Sequence, residues 1–157
     1  MRAVLQRANG ALVMVSGSVV GAFDGPGIVL LVGITHDDTV ARAQRLADKA
    51  YDLRVFDAGH AAGRHLPADA PRELSASDLG LPVLVISQFT LYGETRKGRR
   101  PTWDRAASRP VAEPLVAAVV DRLRERGAEV ASGAFGADMQ VSFTNDGPIT
   151  MLLEIDD

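Results

Sequence analysis

Cysteine is absent from the 157 residues, which excludes a disulfide scaffold, Cys-ligated zinc, iron–sulfur clusters and a thiol nucleophile, and is compatible with a reducing compartment. Long apolar runs are absent too. The longest, residues 28–34, is strand-sized and contains Gly33, too short to span a bilayer. The N-terminal Met1-Arg2-Ala3-Val4-Leu5-Gln6-Arg7 lacks the apolar stretch of a signal peptide, so a cytoplasmic protein with no membrane partner is expected. Positive charge is not in excess: 17 Lys and Arg stand against 20 Asp and Glu, a formal net charge of −3. That excludes a histone-like coat on nucleic acid held by bulk charge, and leaves room for a local basic patch. What is present, 46% hydrophobic residues in a chain of this length, suffices for one core without covalent staples.

The pattern along the chain predicts short strands at residues 4–7, 11–15 and 18–23, with turns at Asn9-Gly10 and Ser16-Gly17 between them and at Asp24-Gly25-Pro26-Gly27 after them. Residues 28–34 are apolar on both faces, as a strand covered on both sides would be. Apolar residues then recur at three- and four-residue steps from Val40 to Leu53, predicting an amphipathic helix with N-cap candidates Thr35, Asp37 and Asp38. Residues 57–71 read as an exposed loop. A buried strand follows at residues 83–86. A second helix is expected over about 111–126, with Pro114 in its first turn and Gly127 as its stop. Strands return at 129–132, 139–143 and 149–155. The fold class expected is α+β over residues 1–157 as a single domain, a mainly antiparallel, barrel-like sheet with two amphipathic helices.

Four groups of residues could carry chemistry. His36, His60 and His65 lie in loop-like surroundings without carboxylates at ligand spacing and read as solvated surface groups, so no metal site is predicted. Ser87-Gln88-Phe89-Thr90 brings hydroxyls and an amide to the end of a buried strand, either as a capped edge or as a functional corner. It lacks the Gly-x-Ser-x-Gly elbow and an evident His partner, which disfavours a Ser-His-Asp hydrolase. Asn145-Asp146-Gly147-Pro148-Ile149-Thr150 reads as a turn between two strands, and a Gly-Pro bond in the cis form there would aim backbone carbonyls at a ligand ammonium. Finally, Arg96, Lys97, Arg99 and Arg100 place four cations within five residues, a solvated loop or a clamp on nucleic-acid phosphates. Trp103 just beyond them is a clamp residue or a packing anchor for the loop.

Taken jointly, the N-terminal Met1 to Arg7, the run Ser87 to Pro101, Phe135-Gly136-Ala137-Asp138-Met139 and the turn Asn145 to Thr150 closely resemble the D-aminoacyl-tRNA deacylase family across nearly the whole chain. The resemblance implies a homodimeric hydrolase, without cofactor or metal, that cleaves the ester of D-aminoacyl-tRNA and of glycine mischarged on tRNA. It implies catalysis around Ser87, Gln88, Phe89 and Thr90, with Thr90 one place nearer than the family's Ser-Gln-x-x-Thr spelling would put it. It also implies chiral selection by Gly147 and Pro148, reaching into the partner subunit's pocket, with Arg7 steadying that turn. Active sites at the subunit interface would receive the 3′ acceptor end of tRNA, with Arg96, Lys97, Arg99 and Arg100 against its backbone. Residues 57–73 depart from the family's pattern, and Ile149 replaces a more usual Val. The competing reading is a non-catalytic tRNA-binding module that uses the basic loop.

Overall fold

The computed structural model describes residues 1–61 and 63–156. Its arrangement follows from one strand that is apolar on both faces. β2 (Ser18–Gly33) lies in the middle of a five-stranded sheet, flanked by β1 (Arg2–Val15), antiparallel to it, and β3 (Val83–Ser87), parallel to it. β4 (Val130–Ser132) extends the sheet parallel to β3, and β5 (Gln140–Glu154) lies antiparallel outside β1. The sheet is mixed and open, with β4 and β5 as its edges. Its long pairings are the antiparallel ones, and the expected α+β single domain is observed.

Side chains alternate across β2 as strand geometry demands. Ile28, Leu30 and Val32 enter a core with α1 (Val40–Asp52) and α3 (Arg109–Glu125), while Val29 joins Ala8, Val13, Phe23, Leu84 and Ile86 in a second core on the opposite side. α1 contributes Leu46 and Tyr51 and α3 contributes Leu115, Val119 and Leu123. Each buried Leu or Val stabilises the fold by roughly 1.5–3 kcal/mol before cavity terms. The two helices are tied by Arg122 to Asp48 at 2.9 Å and Arg126 to Asp52 at 2.7 Å. A parallel pair needs a crossover, and α1 with the one-turn helix α2 (Ala76–Leu79) supplies it between β2 and β3.

Several local expectations are corrected. Asn9-Gly10 and Asp24-Gly25 are not turns that separate strands. Asn9 pairs with Pro26 and Ala11 with Phe23, so Asp24 and Gly25 face the single residue Gly10, a bulge that bends two long strands without ending them. Only Ser16-Gly17, with φ of +50° and +81°, reverses the chain, the two-residue hairpin geometry. The α1 cap is Thr39, whose hydroxyl accepts from the Arg42 N–H. Asp38 instead turns inward, its carboxylate 2.7 Å from the Met1 ammonium. Val40, at the head of the apolar pattern, is exposed. α2 went unpredicted and is held by a capping box between Ser75 and Asp78. The second helix begins at Arg109, with Ser108 as its N-cap residue. Among the described residues, no helix is long and apolar enough to cross a membrane.

Burial raises both phenols of the chain, Tyr51 and Tyr92, and holds Tyr92 up to about 12. A raised phenol favours the folded state below its ordinary midpoint, and that contribution disappears as pH rises through the folded value. In an ultraviolet titration both phenols are therefore expected to be more than half protonated at pH 10.0, the ordinary midpoint, with stability declining above it. Half-ionisation of native protein at that pH would contradict this.

Candidate active site

Where β3 ends, the chain turns sharply. Gln88 leaves the strand with its N–H still bonded to the Val32 carbonyl at 2.7 Å, and residues Phe89–Tyr92 form a 3-10 turn. Gly33 permits this, because a Cβ there would stand 3.0 Å from the Gln88 carbonyl and from Leu91. The opening amides of such a turn have no internal acceptor. Among the described residues, the Phe89 and Thr90 N–H groups donate to no protein acceptor. The Gln88 side-chain amide donates to the Thr90 hydroxyl.

Ser87, Gln88 and Phe89 form one wall of a cleft of about 290 Å³, and Phe135, Gly136, Ala137, Asp138 and Met139 form the other. Gly133 lets the second wall close in, since a Cβ there would meet Met139 Sδ at 2.6 Å. Asp138 is the only ionisable side chain in the lining, and Thr90 lies outside it. Nothing local in Phe135-Gly136-Ala137-Asp138-Met139 signals a cleft, and in the sequence that segment stands out only through its family resemblance.

Gly147 and Pro148 do not separate two strands as expected. They belong to an outward loop within β5, between the pairings Ala8 with Asn145 and Gln6 with Thr150. An edge strand tolerates this, because it has one side without a ladder partner. The Gly147–Pro148 bond is cis. The flanking residues close the loop: Asn145 Oδ1 accepts from the Ile149 N–H at 3.2 Å, and Asn145 Nδ2 donates to the Thr150 hydroxyl at 3.0 Å. Arg7, largely buried, sends Nε to the Asp146 carbonyl at 3.2 Å and to its carboxylate at 3.1 Å, and one terminal nitrogen to the Val55 carbonyl at 2.7 Å.

A histidine read from sequence as a solvated surface group meets this loop. His60 contacts Asp146 at 3.0 Å and Asp57 at 2.9 Å, while His36 stays exposed against the Asp104 carbonyl and His65 is exposed. Residues 57–71 are accordingly not loop throughout: Ala58–His60 is a 3-10 turn capped by Asp57. The Gly59 N–H, chiefly, and His60 hold the Asp57 carboxyl below its usual range. His60 was missed because Asp146 is 86 residues away in sequence.

Among the cations of the basic loop, all exposed, Arg96 is bound by Glu94, which that contact holds down to about 2. Among the described residues, Lys97, Arg99 and Arg100 have no ion-pair partner. Glu94 and Thr102 pair at the loop's base, and Trp103 anchors it, edge to face with Phe89 at 5.3 Å and pressed against Gly93.

The structure thus gathers Ser87, Gln88 and Phe89 into a cleft and Arg7 with Gly147 into a second cluster, and keeps the two apart within one chain. Arg7 pairs with Ile28 and Ser87 with Val32, a separation of about 13 Å along the sheet. The loop also lies three strand spacings from β3, about 14 Å across.

The family model described as D-Tyr-tRNA(Tyr) deacylase matches residues 4–154. The chain is 53% identical to the D-aminoacyl-tRNA deacylase of Acidothermus cellulolyticus, over 99% of this chain and 100% of that protein. It is 55% identical to the D-aminoacyl-tRNA deacylase of Streptomyces coelicolor, again over 99% and 100%. A solved structure described as a c-Myc DNA unwinding element binding protein superposes with a TM-score of 0.85 at 35% identity, over 100% of both chains. One of a probable eukaryotic D-amino acid tRNA deacylase shares the fold, with a TM-score of 0.81 at 18% identity over 98% of each.

Gly147 has φ +118°, and a Cβ there would stand 2.8 Å from the Arg7 guanidinium and 2.9 Å from the Ile149 side chain. Gly147→Ala is expected to displace Arg7 and lower unfolding stability by about 1–3 kcal/mol. Denaturant titration tests this, and an unchanged midpoint would contradict the packing described.

Proposed function

The chain belongs to the D-Tyr-tRNA(Tyr) deacylase family, and from that premise we propose that it hydrolyses the ester joining a D-amino acid to the terminal ribose of tRNA. Water adds to the ester carbonyl, the ribose oxygen leaves with a proton, and free D-amino acid and tRNA are released. Glycine mischarged on tRNA is a second substrate, and the cytoplasm is the place of action.

The observation that carries this reading is the corner after β3, where the Phe89 and Thr90 amides are free beside a cleft of suitable size for an aminoacyl group. An aminoacyl ester is already activated and has a neighbouring ribose hydroxyl. Positioning it and stabilising the developing oxyanion with backbone N–H groups therefore suffices without a catalytic base. Ser87 and Gln88 shape the cleft, and Thr90, held by Gln88, orients the ester.

Chirality is read by exclusion at the carbonyls of Gly147 and Pro148, which hold the substrate ammonium so that an L side chain runs into backbone and a D side chain points outward. Arg7 steadies that loop. Because the loop and the cleft are separated within one chain, the working unit is a homodimer in which each loop completes the partner's cleft. The outer edge of β5, unpaired and carrying the exposed Met151 and Leu152, supports such an association. Lys97, Arg99 and Arg100 lie against the tRNA backbone near its 3′ acceptor end, with a lesser contribution from Arg96.

The testing experiment is parallel release of D-tyrosine and L-tyrosine from the same charged tRNA by the purified protein. Fast D release with L spared is expected; binding without turnover would reduce the protein to a tRNA-binding module. Thr90→Ala is expected to keep its single-turnover rate within about tenfold of wild type, whereas a loss of about 10⁴ would make Thr90 the nucleophile. Arg99→Ala and Arg100→Ala should each weaken tRNA binding uniformly across tRNAs and reduce the salt slope by about one. Arg96→Ala should do less, because Glu94 already neutralises that cation. Filter binding across a salt series checks both, and a loss confined to one tRNA would refute the backbone contact.

A further inference from the structure

Resting on the functional reading above, we propose that His60 is a positioning residue for the Gly147-Pro148 loop, acting through Asp146. The His60 side chain is only 16% exposed. Phe56 meets the ring edge-on at 5.4 Å and is itself buried, paired with Leu74 by two backbone hydrogen bonds. The ring is therefore held by packing before any polar contact is considered.

Its two nitrogens divide the work. Nδ1 faces Asp57, receiving that residue's N–H at 3.2 Å and lying 2.9 Å from its carboxylate, while Nε2 lies 3.0 Å from Asp146 Oδ2. In the neutral ring, an Nδ1 that accepts the Asp57 N–H leaves the proton on Nε2, directed at Asp146. In the charged ring both nitrogens donate, to Asp57 and Asp146. In either state Nε2–H donates to Asp146.

That carboxylate oxygen is also the one Arg7 Nε reaches at 3.1 Å, the same Nε lying 3.2 Å from the Asp146 carbonyl. Arg7 approaches from β1 and His60 from the turn after Phe56, so the residue directly before Gly147 is gripped from two independent elements. Arg7 alone lies close to both the main chain and the carboxylate of Asp146; His60 fixes the carboxylate from a second direction and stops Asp146 from turning about its backbone. Such a turn would swing the carbonyls of Gly147 and Pro148, and a displacement of about 1 Å in a substrate-positioning group can cost about a hundredfold in rate.

The test compares wild type, His60→Ala and His60→Gln in three measurements: D- and L-tyrosine release from tRNA, amide hydrogen exchange at residues 146–149, and the thermal midpoint. The Gln side-chain N–H can take the place of Nε2–H. His60→Ala is expected to lower the D-to-L rate ratio about tenfold or more and to speed exchange at the Ile149 amide by a similar factor, with His60→Gln restoring most of both. An unchanged ratio and unchanged exchange in His60→Ala would overturn the proposal. So would equal impairment of the Ala and Gln variants, which would reduce His60 to packing against Phe56. Wild type that spares neither or releases neither amino acid, with the exchange difference still present, would overturn the chiral reading and leave the positioning role standing.

Discussion

Burial of both faces of β2 over residues 28–33 is the constraint from which the rest of the structure follows. Ile28, Leu30 and Val32 on one face and Val29 on the other leave no side of the strand that water can occupy. A strand covered on both faces takes the interior of a sheet, so partners are needed on both flanks. β1 fills one through a two-residue hairpin, and β3 fills the other, parallel, through a crossover that lays α1 against one face. The opposite face is closed by side chains from the bent halves of β1, β2 and β5. Bulges at Gly10 and Asp24-Gly25 allow the bend; without it the second core would lie open.

The two functional elements both arise where this regular pattern is interrupted. In the corner after β3 a 3-10 turn releases amides from the ladder, and in β5 an outward loop brings backbone at Gly147 and Pro148 to the surface. Sheet interiors consume their N–H and C=O groups, so a site that works with backbone atoms has to sit where a ladder ends or opens. Interruptions also need bracing. Asn145 and Thr150 close the loop from within, and Arg7, Asp146 and His60 hold it from without.

Charge is distributed to match. The chain is acidic overall, yet the segment beside the candidate cleft carries Lys97, Arg99 and Arg100 without counter-ions among the described residues, while Arg122 and Arg126 join α1 to α3. Exposed pairs of that kind are worth little individually. The Arg126 guanidinium also lies over Tyr51, at 5.4 Å, so its contribution includes packing.

The sequence by itself determined the periods: the two-faced run at 28–34, the helix from Val40 and the helix ending before Gly127 all stand close to where hydrophobic spacing put them. It also made the Ser87 to Thr90 corner and the Gly147-Pro148 loop visible, because hydroxyls, glycine and proline mark chain breaks by their own covalent chemistry. Tertiary structure decided what those breaks became. Asn9-Gly10 and Ser16-Gly17 carry the same local signal, and only pairing with the opposite strand makes one a bulge and the other a hairpin turn. Thr39 rather than Asp38 caps α1 because Asp38 is drawn to the Met1 ammonium, far away in sequence. His60 meets Asp146 across 86 residues, and the cleft has two walls from segments far apart in the sequence, residues 87–89 and 135–139. Backbone propensity and hydrophobic period act over a few residues and are written locally; a hydrogen bond or ion pair between distant segments exists only once packing has brought its two groups together.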